Sequence, residues 1–150
     1  MAILTENRQT KIKIDRRRLR STAGKILRYL DLTGSELSIV IVDNQEIMEI
    51  NKVYLGKNSP TNVISFSMLE GEFGTVNPKI LGDVVISAEK AQEEARKTGM
   101  SINDEIDYLL IHGILHLIGY NHENTTRSEA NKMKIKSKEI FSILKGYDIS

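Results

Sequence analysis

The stretch HGILHLIGYNH, residues 112–122, contains all three histidines of a chain of 150 residues. Its spacing, H-x-x-x-H-x-x-G-x-x-H, places His112 and His116 one helical turn apart, so that both rings project from the same face. The residues around them are apolar on nearly every side, which predicts a central, buried helix. Gly119 can adopt a positive φ and turn the chain back, which brings His122 towards the first two rings.

Three converging imidazoles predict a metal site, with zinc as the natural ion and one ion per chain. Neutral imidazole is the usual nitrogen ligand of zinc, and structural zinc sites normally close with four protein ligands. The chain has three histidines and no cysteine, so a fourth position is left for water, as in catalytic zinc sites. A lone histidine on an apolar helix is usually a packed core residue, whereas three in this register favour metal binding. Affinity order alone does not fix which ion is bound in the cell.

The same spacing occurs in the extended zinc-peptidase motif H-E-x-x-H-x-x-G-x-x-H. In that motif the glutamate after the first histidine acts as the general base. The corresponding residue here is Gly113, which can accept no proton. A zincin-like ligand helix is therefore expected, whereas an ordinary peptidase mechanism lacks its base.

The rest of the chain predicts an α+β fold in which a mixed sheet of about four strands packs with about five helices. Alternating or β-branched apolar residues predict strands at 11–15, 36–43, 62–69 and 80–87. Helical spacing from Leu19 to Leu30 predicts the first helix, and four later helices are expected to begin after Asp43, Ser87, Ser101 and Thr126. Because no linker or repeat is visible, residues 1–150 are expected to form one hydrolase domain.

The composition excludes several classes of protein. With 21 Lys and Arg against 20 Asp and Glu, the formal charge is +1, so any RNA contact must come from a local basic patch. The absence of cysteine excludes disulfides and thiolate ligands, which fits a reducing compartment. The N-terminal residues lack the apolar core of a signal peptide, and no apolar run reaches the ~20 residues of a membrane span. We expect a soluble, cytoplasmic protein without membrane contact.

Several motifs resemble those of the YbeY family, bacterial rRNA maturation factors regarded as metal-dependent endoribonucleases. HGILHLIGYNH resembles the family signature H-G-x-L-H-L-x-G-Y-D-H. SPTNVISF (59–66) resembles P-T-[DN]-V-L-S-F, and LGDVVIS (81–87) resembles L-G-D-[IL]-V-I-S. With GYD at 146–148, the similarity spans roughly residues 50–148 in the family's order.

The resemblance implies zinc at His112, His116 and His122 and an α+β fold with a mixed sheet. It also implies a role in processing the 3′ end of 16S rRNA. The partners that it implies are rRNA and assembly components of the small ribosomal subunit.

Two positions depart from the family pattern. Leu55 stands where the family usually has the arginine of Arg-Gly-Lys, so a side chain able to bond two phosphate oxygens at once is missing. Lys57 remains as a point charge and is the candidate for positioning phosphate. Asn121 stands where the family usually has aspartate. Its amide can still support a ligand histidine by a hydrogen bond but cannot act as a base.

Further polar residues are candidates for supporting roles. Asp83 lies inside an apolar strand, where a carboxylate is costly unless paired, so it is expected to support a ligand histidine or to cap a neighbouring loop. Two basic clusters are candidates for RNA phosphate contacts, although charge runs on helices are usually solvated faces. They are Lys11, Lys13, Arg16, Arg17, Arg18 and Arg20, and Lys132, Lys134, Lys136 and Lys138.

Three functions are to be considered. The first, implied by the resemblance, is a metal-dependent endoribonuclease of rRNA maturation and ribosome assembly. The second is a zinc hydrolase of peptide or other ester and amide bonds, which the histidine spacing favours and Gly113 opposes. The third is a zinc-stabilised ribosome-assembly factor without catalysis, which Leu55 keeps open.

Overall fold

A mixed sheet and five helices make up the part of the chain that the computed structural model describes, residues 3–57, 61–68, 80–120 and 126–149. The strands are β1 (Ile3–Asn7), β2 (Glu36–Val42), β3 (Val63–Ser67) and β4 (Ile80–Ser87). The helices are α1 (Arg16–Tyr29), α2 (Asn44–Leu55), α3 (Ala88–Thr98), α4 (Ile102–Leu117) and α5 (Arg127–Lys145). The sheet order is β1-β2-β4-β3, with β3 antiparallel to β4 and the other pairs parallel. The predicted α+β fold is confirmed.

The predicted helix starts are confirmed by their capping hydrogen bonds. Asp43, Ser87, Ser101 and Thr126 each accept a hydrogen bond from the backbone N–H three residues further along. Such a cap satisfies one of the N–H groups that a helix leaves unpaired at its start and contributes about 1 kcal/mol. These local signals fix where the four later helices begin.

The first strand differs from the prediction. It was expected at 11–15, but the strand is Ile3–Asn7, which pairs in parallel with β2. After this strand the side chain of Gln9 folds over the next turn, where it accepts a hydrogen bond from the Ile12 N–H at 2.9 Å and donates one to the Ile12 carbonyl at 2.7 Å. Ile12 and Ile14 are half-buried against the main core. Their alternation therefore reflects core contact rather than strand pairing.

The sheet separates two apolar layers. On one face Leu37, Ile39 and Val84 pack with α1, α3, α4 and α5 in the main core. On the other face Val85 belongs to a smaller cluster that Ile47 of α2 covers. Each fully buried aliphatic side chain contributes roughly 1.5–3 kcal/mol. The larger layer therefore dominates the stability and sets the position of α4.

Helix α4 lies at the centre of the main core, because ten of its 16 residues are buried. It packs against α3, α5, β3 and β4. This confirms the prediction of a central, buried helix that carries the first two histidines. No helix in the described ranges is both long enough and apolar enough to cross a bilayer.

Candidate metal centre

His112 and His116 lie on the side of α4 that solvent partly reaches. Both are partly exposed, whereas Ile111, Gly113 and Leu115 beside them are buried. The Nδ1 atoms of both rings are buried from solvent. The solvent-exposed part of each residue therefore does not include Nδ1. Two nitrogen donors one turn apart fit the ligand preference of zinc.

The third predicted ligand, His122, and the predicted supporting residue Asn121 lie outside the described residues. The described chain continues as far as Tyr120, and Gly119 has φ +111°, consistent with the predicted turn after α4. Within the described ranges no three His, Cys, Asp or Glu side chains converge on a point that could hold a metal. The complete ligand set stays a prediction.

Gly113 lies against Val84 of β4. A Cβ at this position would lie 2.6 Å from Val84 Cγ1 and 3.2 Å from Ser65 Oγ. The Ser65 hydroxyl donates a hydrogen bond to the Gly113 carbonyl at 2.9 Å, and the Ser67 hydroxyl donates one to the Leu117 carbonyl at 3.0 Å. The missing side chain thus allows a close helix–sheet contact, and a glutamate at position 113 would require Val84 or its neighbours to shift.

Asp83 lies on the other face of the sheet. Val84 points towards Gly113, and successive side chains of a strand alternate, so Asp83 points away from α4. Its lateral neighbours are Ser38 on β2 and Phe66 on β3, and it lines a groove of about 300 Å³. The structure does not bring Asp83 together with the two histidines. Its alternative role in capping a loop stays a prediction.

Lys57 lies just beyond the end of α2. Gly56 ends this helix with φ 70°, and the Lys57 N–H donates a hydrogen bond to the Asn51 carbonyl at 3.2 Å. The side chain of Lys57 is exposed, and so is that of Leu55. Residues 58–60, which follow, lie outside the described ranges. The role of Lys57 in positioning phosphate stays a prediction.

Sequence reasoning missed two residues that continue the histidine side of α4. Tyr108 precedes His112 by one turn, with ring centroids 6.4 Å apart. Glu105 lies nearly one turn earlier and is only 6% exposed. Burial, followed by the charge and hydrogen bond of Glu94, raises the pKa of Glu105 to about 7. Burial also raises the pKa of Tyr108. The sequence signal for these two residues is their helical spacing, because positions 105, 108, 112 and 116 fall on one side of a helix.

A groove of about 930 Å³ begins at this side of α4 and is bounded by α3, α5 and the C-terminal residues. Glu105 and Tyr108 line it, together with Lys134 and Lys138 of the second predicted basic cluster. In the first cluster, Arg18 instead forms two hydrogen bonds with the buried carboxylate of Asp107, at 2.8 and 3.1 Å. Lys134 and Lys138 therefore lie beside the groove, whereas Arg18 forms an ion pair with a buried aspartate.

The chain matches the family model described as endoribonuclease YbeY over residues 4–145. The chain belongs to the endoribonuclease YbeY family. A relative named endoribonuclease YbeY from Syntrophus aciditrophicus is 50% identical over 149 residues, which cover 99% of this chain and 93% of that protein. One of the same name from Geobacter metallireducens is 49% identical over 144 residues, 96% of each chain. The family predicted from the motifs is confirmed.

The fold has a counterpart among solved structures. The solution structure of TM1509 from Thermotoga maritima matches with a TM-score of 0.60 and 21% identity, covering 96% of this chain and 92% of that chain. At this identity the similarity supports the α+β fold alone.

Two YbeY-family segments meet beneath α4. LGDVVIS (81–87) lies within β4, and SPTNVISF (59–66) supplies most of β3. Gly82 has φ +138°, and a Cβ there would lie 2.0 Å from the Phe66 carbonyl oxygen and 3.1 Å from Leu117 Cδ2. The glycine of the first segment therefore allows close contact with both β3 and α4. These YbeY motifs build the surface on which the histidine helix rests.

Proposed function

We propose that this YbeY-family protein is a metal-dependent endoribonuclease that matures the 3′ end of 16S rRNA, with residues 1–150 acting as one hydrolase domain. Membership of the endoribonuclease family gives the enzyme class, a hydrolase acting on RNA. The main support for metal dependence is the position of His112 and His116, which are partly exposed on a helix that is otherwise largely buried. Small-subunit assembly components are the proposed partners, and the cytoplasm is the proposed location.

His112, His116 and His122 are the proposed ligands of one zinc ion per chain. Support comes from the first two, which lie one turn apart on α4 and are both partly exposed. When bound, zinc would supply Lewis acidity for hydrolysis of the phosphodiester. Asn121 is the proposed hydrogen-bonding support for a ligand ring, since ligand histidines usually need such a partner. Asp83 points to the opposite sheet face, which supports a structural role for its carboxylate.

The chain's own cations bind and orient the RNA backbone in this proposal. Lys57 is exposed beyond α2, and Lys134 and Lys138 lie one turn apart on α5 beside the groove. Lysine acts on phosphate as a point charge, without the two-oxygen geometry of arginine. Because Leu55 replaces the usual arginine, we expect binding to depend on several separate lysine contacts. Such contacts weaken together as the salt concentration rises.

The packing of Gly113 favours RNA cleavage over peptide cleavage. The peptidase motif needs a glutamate after the first histidine as general base. A Cβ at Gly113 would already lie 2.6 Å from Val84 Cγ1, so a side chain as large as glutamate fits here only if the neighbouring atoms shift. A peptidase mechanism would need a base from elsewhere in the chain.

The test follows cleavage of an end-labelled RNA that covers the precursor 3′ region of 16S rRNA. We expect the wild-type protein to cut it, and both His116→Ala and chelator-treated protein to lose at least about 100-fold in rate. Gln45→Ala, an exposed change on α2, is the matched surface control, and thermal unfolding checks that each variant is folded. Restored cleavage on adding zinc to the chelated sample supports the metal. Intact RNA with cleaved casein in a parallel assay would contradict the proposal.

A further inference from the structure

The groove beside α4 presents opposite charges from different helices. Its volume, about 930 Å³, lies in the range of sites that hold small molecules. Lys134 and Lys138 line it from α5. Glu94 lines it from α3, and Glu105 lines it from α4. A ligand in the groove therefore meets cations of α5 and carboxyl groups of α3 and α4.

The two lysines of α5 are available to a ligand. The groove also contains Lys90 and Lys97, but both pair with Glu93, at 3.6 and 3.3 Å. Within the described residues, Lys134 and Lys138 form no ion pair. They lie one turn apart on α5, where two like charges repel each other. An anion bound between them, such as a phosphate group, relieves this repulsion.

Glu105 is a buried carboxyl group that lines the groove. It is only 6% exposed, and in the described part of the chain no cation pairs with it. Other acids of the groove do have partners. Asp104 pairs with Lys145 at 3.1 Å. Asp148 accepts a hydrogen bond from the Ser142 hydroxyl at 2.6 Å. Because a buried carboxyl group is costly unless hydrogen-bond donors reach it, Glu105 favours a ligand that donates hydrogen bonds.

Tyr108 connects this carboxyl group to the predicted metal site. Its side chain lines the groove, and its ring centroid lies 6.4 Å from that of His112. Glu105 precedes His112 by seven residues, which is roughly 10 Å along a helix. A strand of RNA at the histidines can therefore continue past Tyr108 towards Glu105. The ring of Tyr108 offers an aromatic surface to a base on this path.

We propose that this groove holds one nucleotide of the RNA substrate and that Glu105 selects guanine there. The inference rests on the proposed function and adds a specificity-determining residue to it. Guanine is favoured because its N1–H and 2-amino groups are neighbouring donors, and a carboxylate accepts two parallel hydrogen bonds. Adenine and cytosine present an amino group beside an acceptor nitrogen, and uracil presents one N–H between two carbonyl groups. Lys134 and Lys138 contact the phosphate of the RNA strand, and Tyr108 contacts the base.

The test compares two short single-stranded RNAs. One alternates adenosine and guanosine, and the other has inosine, which lacks only the 2-amino group, in place of each guanosine. Fluorescence anisotropy measures their binding to the full-length wild-type protein at about pH 8. At this pH Glu105 is ionised, since burial, followed by Glu94, raises its pKa to about 7. We expect the guanosine RNA to bind at least about fivefold more tightly. Electrophoresis checks that both RNAs stay intact.

Glu105→Gln replaces the carboxylate by a neutral amide with one acceptor and one donor group. We expect its preference for the guanosine RNA to fall below about twofold. Glu93→Gln is the matched control, because Glu93 is exposed on α3 and loses the same charge, and it should keep the full preference. Lys138→Ala should weaken the binding of both RNAs equally, since both carry the same phosphates. Thermal unfolding checks that each variant is folded.

Two results would overturn the guanine site. One is equal binding of the two RNAs to the wild-type protein, and the other is a preference in folded Glu105→Gln that matches wild type. If wild type cleaves the 16S precursor RNA but shows no preference, the guanine site fails and the proposed function stands. If no protein binds or cleaves RNA, both fail.

Discussion

Gly113 and Val84 lie in direct contact, because a Cβ at position 113 would lie 2.6 Å from Val84 Cγ1. Real Cβ atoms essentially never approach another heavy atom so closely, so any larger residue must shift the Val84 side chain or the elements that carry it. This contact fixes α4 against β4. Gly113 therefore allows close packing of α4 on β4, and it also leaves the position of the peptidase general base without a carboxylate.

We expect Gly113→Ala to destabilise the protein by about 1–2 kcal/mol, since overpacking outweighs the better helix propensity of alanine. Gly24→Ala is the matched control, because its Cβ would meet nothing nearer than Ile3 Cδ1 at 3.9 Å in a helix of the same fold. That change should stabilise by about 0.5–1 kcal/mol. Urea unfolding measures the free energy of unfolding of both variants. Equal changes for Gly113→Ala and Gly24→Ala would contradict the close contact between Gly113 and Val84.

Arg18 and Asp107 should contribute strongly to stability. The Asp107 side chain is fully buried and contacts both Arg18 and Lys145. Arg18→Met leaves that charge with Lys145 alone, so we expect a loss of about 3 kcal/mol in the free energy of unfolding. Arg17→Met, an exposed change next in the chain, should stay within about 0.5 kcal/mol. Equal free energies of unfolding for Arg18→Met and Arg17→Met would show that the ion pair between Arg18 and Asp107 does not contribute to stability.

The raised pKa of Glu105 predicts a pH-dependent stability. Because the pKa rises from 4.5 to about 7 on folding, the folded state holds a proton that the unfolded chain has released. The stability of wild type relative to Glu105→Gln is then greatest below about pH 4.5 and falls as the pH rises to about 7, by at most about 3 kcal/mol. Denaturant unfolding of both proteins across this range measures the difference. Parallel curves would show that folding does not raise the pKa of Glu105.

Lys134 and Lys138 should attract RNA without regard to sequence. Each change to alanine is expected to weaken RNA binding and to lower the slope of log affinity against log salt by about 1. Lys136→Ala is the control on the same helix, since Lys136 pairs with Glu139 at 2.7 Å. Salt titrations of RNA binding test this. An unchanged slope for Lys134→Ala and Lys138→Ala would exclude the groove as an RNA path.

Local signals in the sequence were sufficient to predict where the later helices begin and that His112 and His116 lie on one side of a helix. Capping residues such as Asp43 and Ser101 act on N–H groups three residues away, so their effect can be predicted without the fold. The spacing of His112 and His116 likewise depends on one helix alone. The family motifs, which lie in order along the chain, were equally visible before the fold was known.

Contacts between distant segments could not be predicted in this way. The alternation of Ile12 and Ile14 is the same for a strand as for a loop packed on the core, and only the hydrogen bonds of Gln9 decide between them. The face on which Asp83 lies depends on the register of β4. The meeting of Asn62 with Glu94, 32 residues apart, depends on how α3 packs beside β3. None of these follows from periodicity.

The most direct test of the metal site is the zinc content of the purified protein, measured by elemental analysis after dialysis against a limiting zinc concentration. We predict one zinc ion per chain in wild type and in Gln45→Ala, and less than about one-tenth of that in His112→Ala, His116→Ala and His122→Ala. Circular dichroism would check that all five proteins are folded. Full zinc occupancy in folded His116→Ala would contradict the assignment of the metal to these histidines.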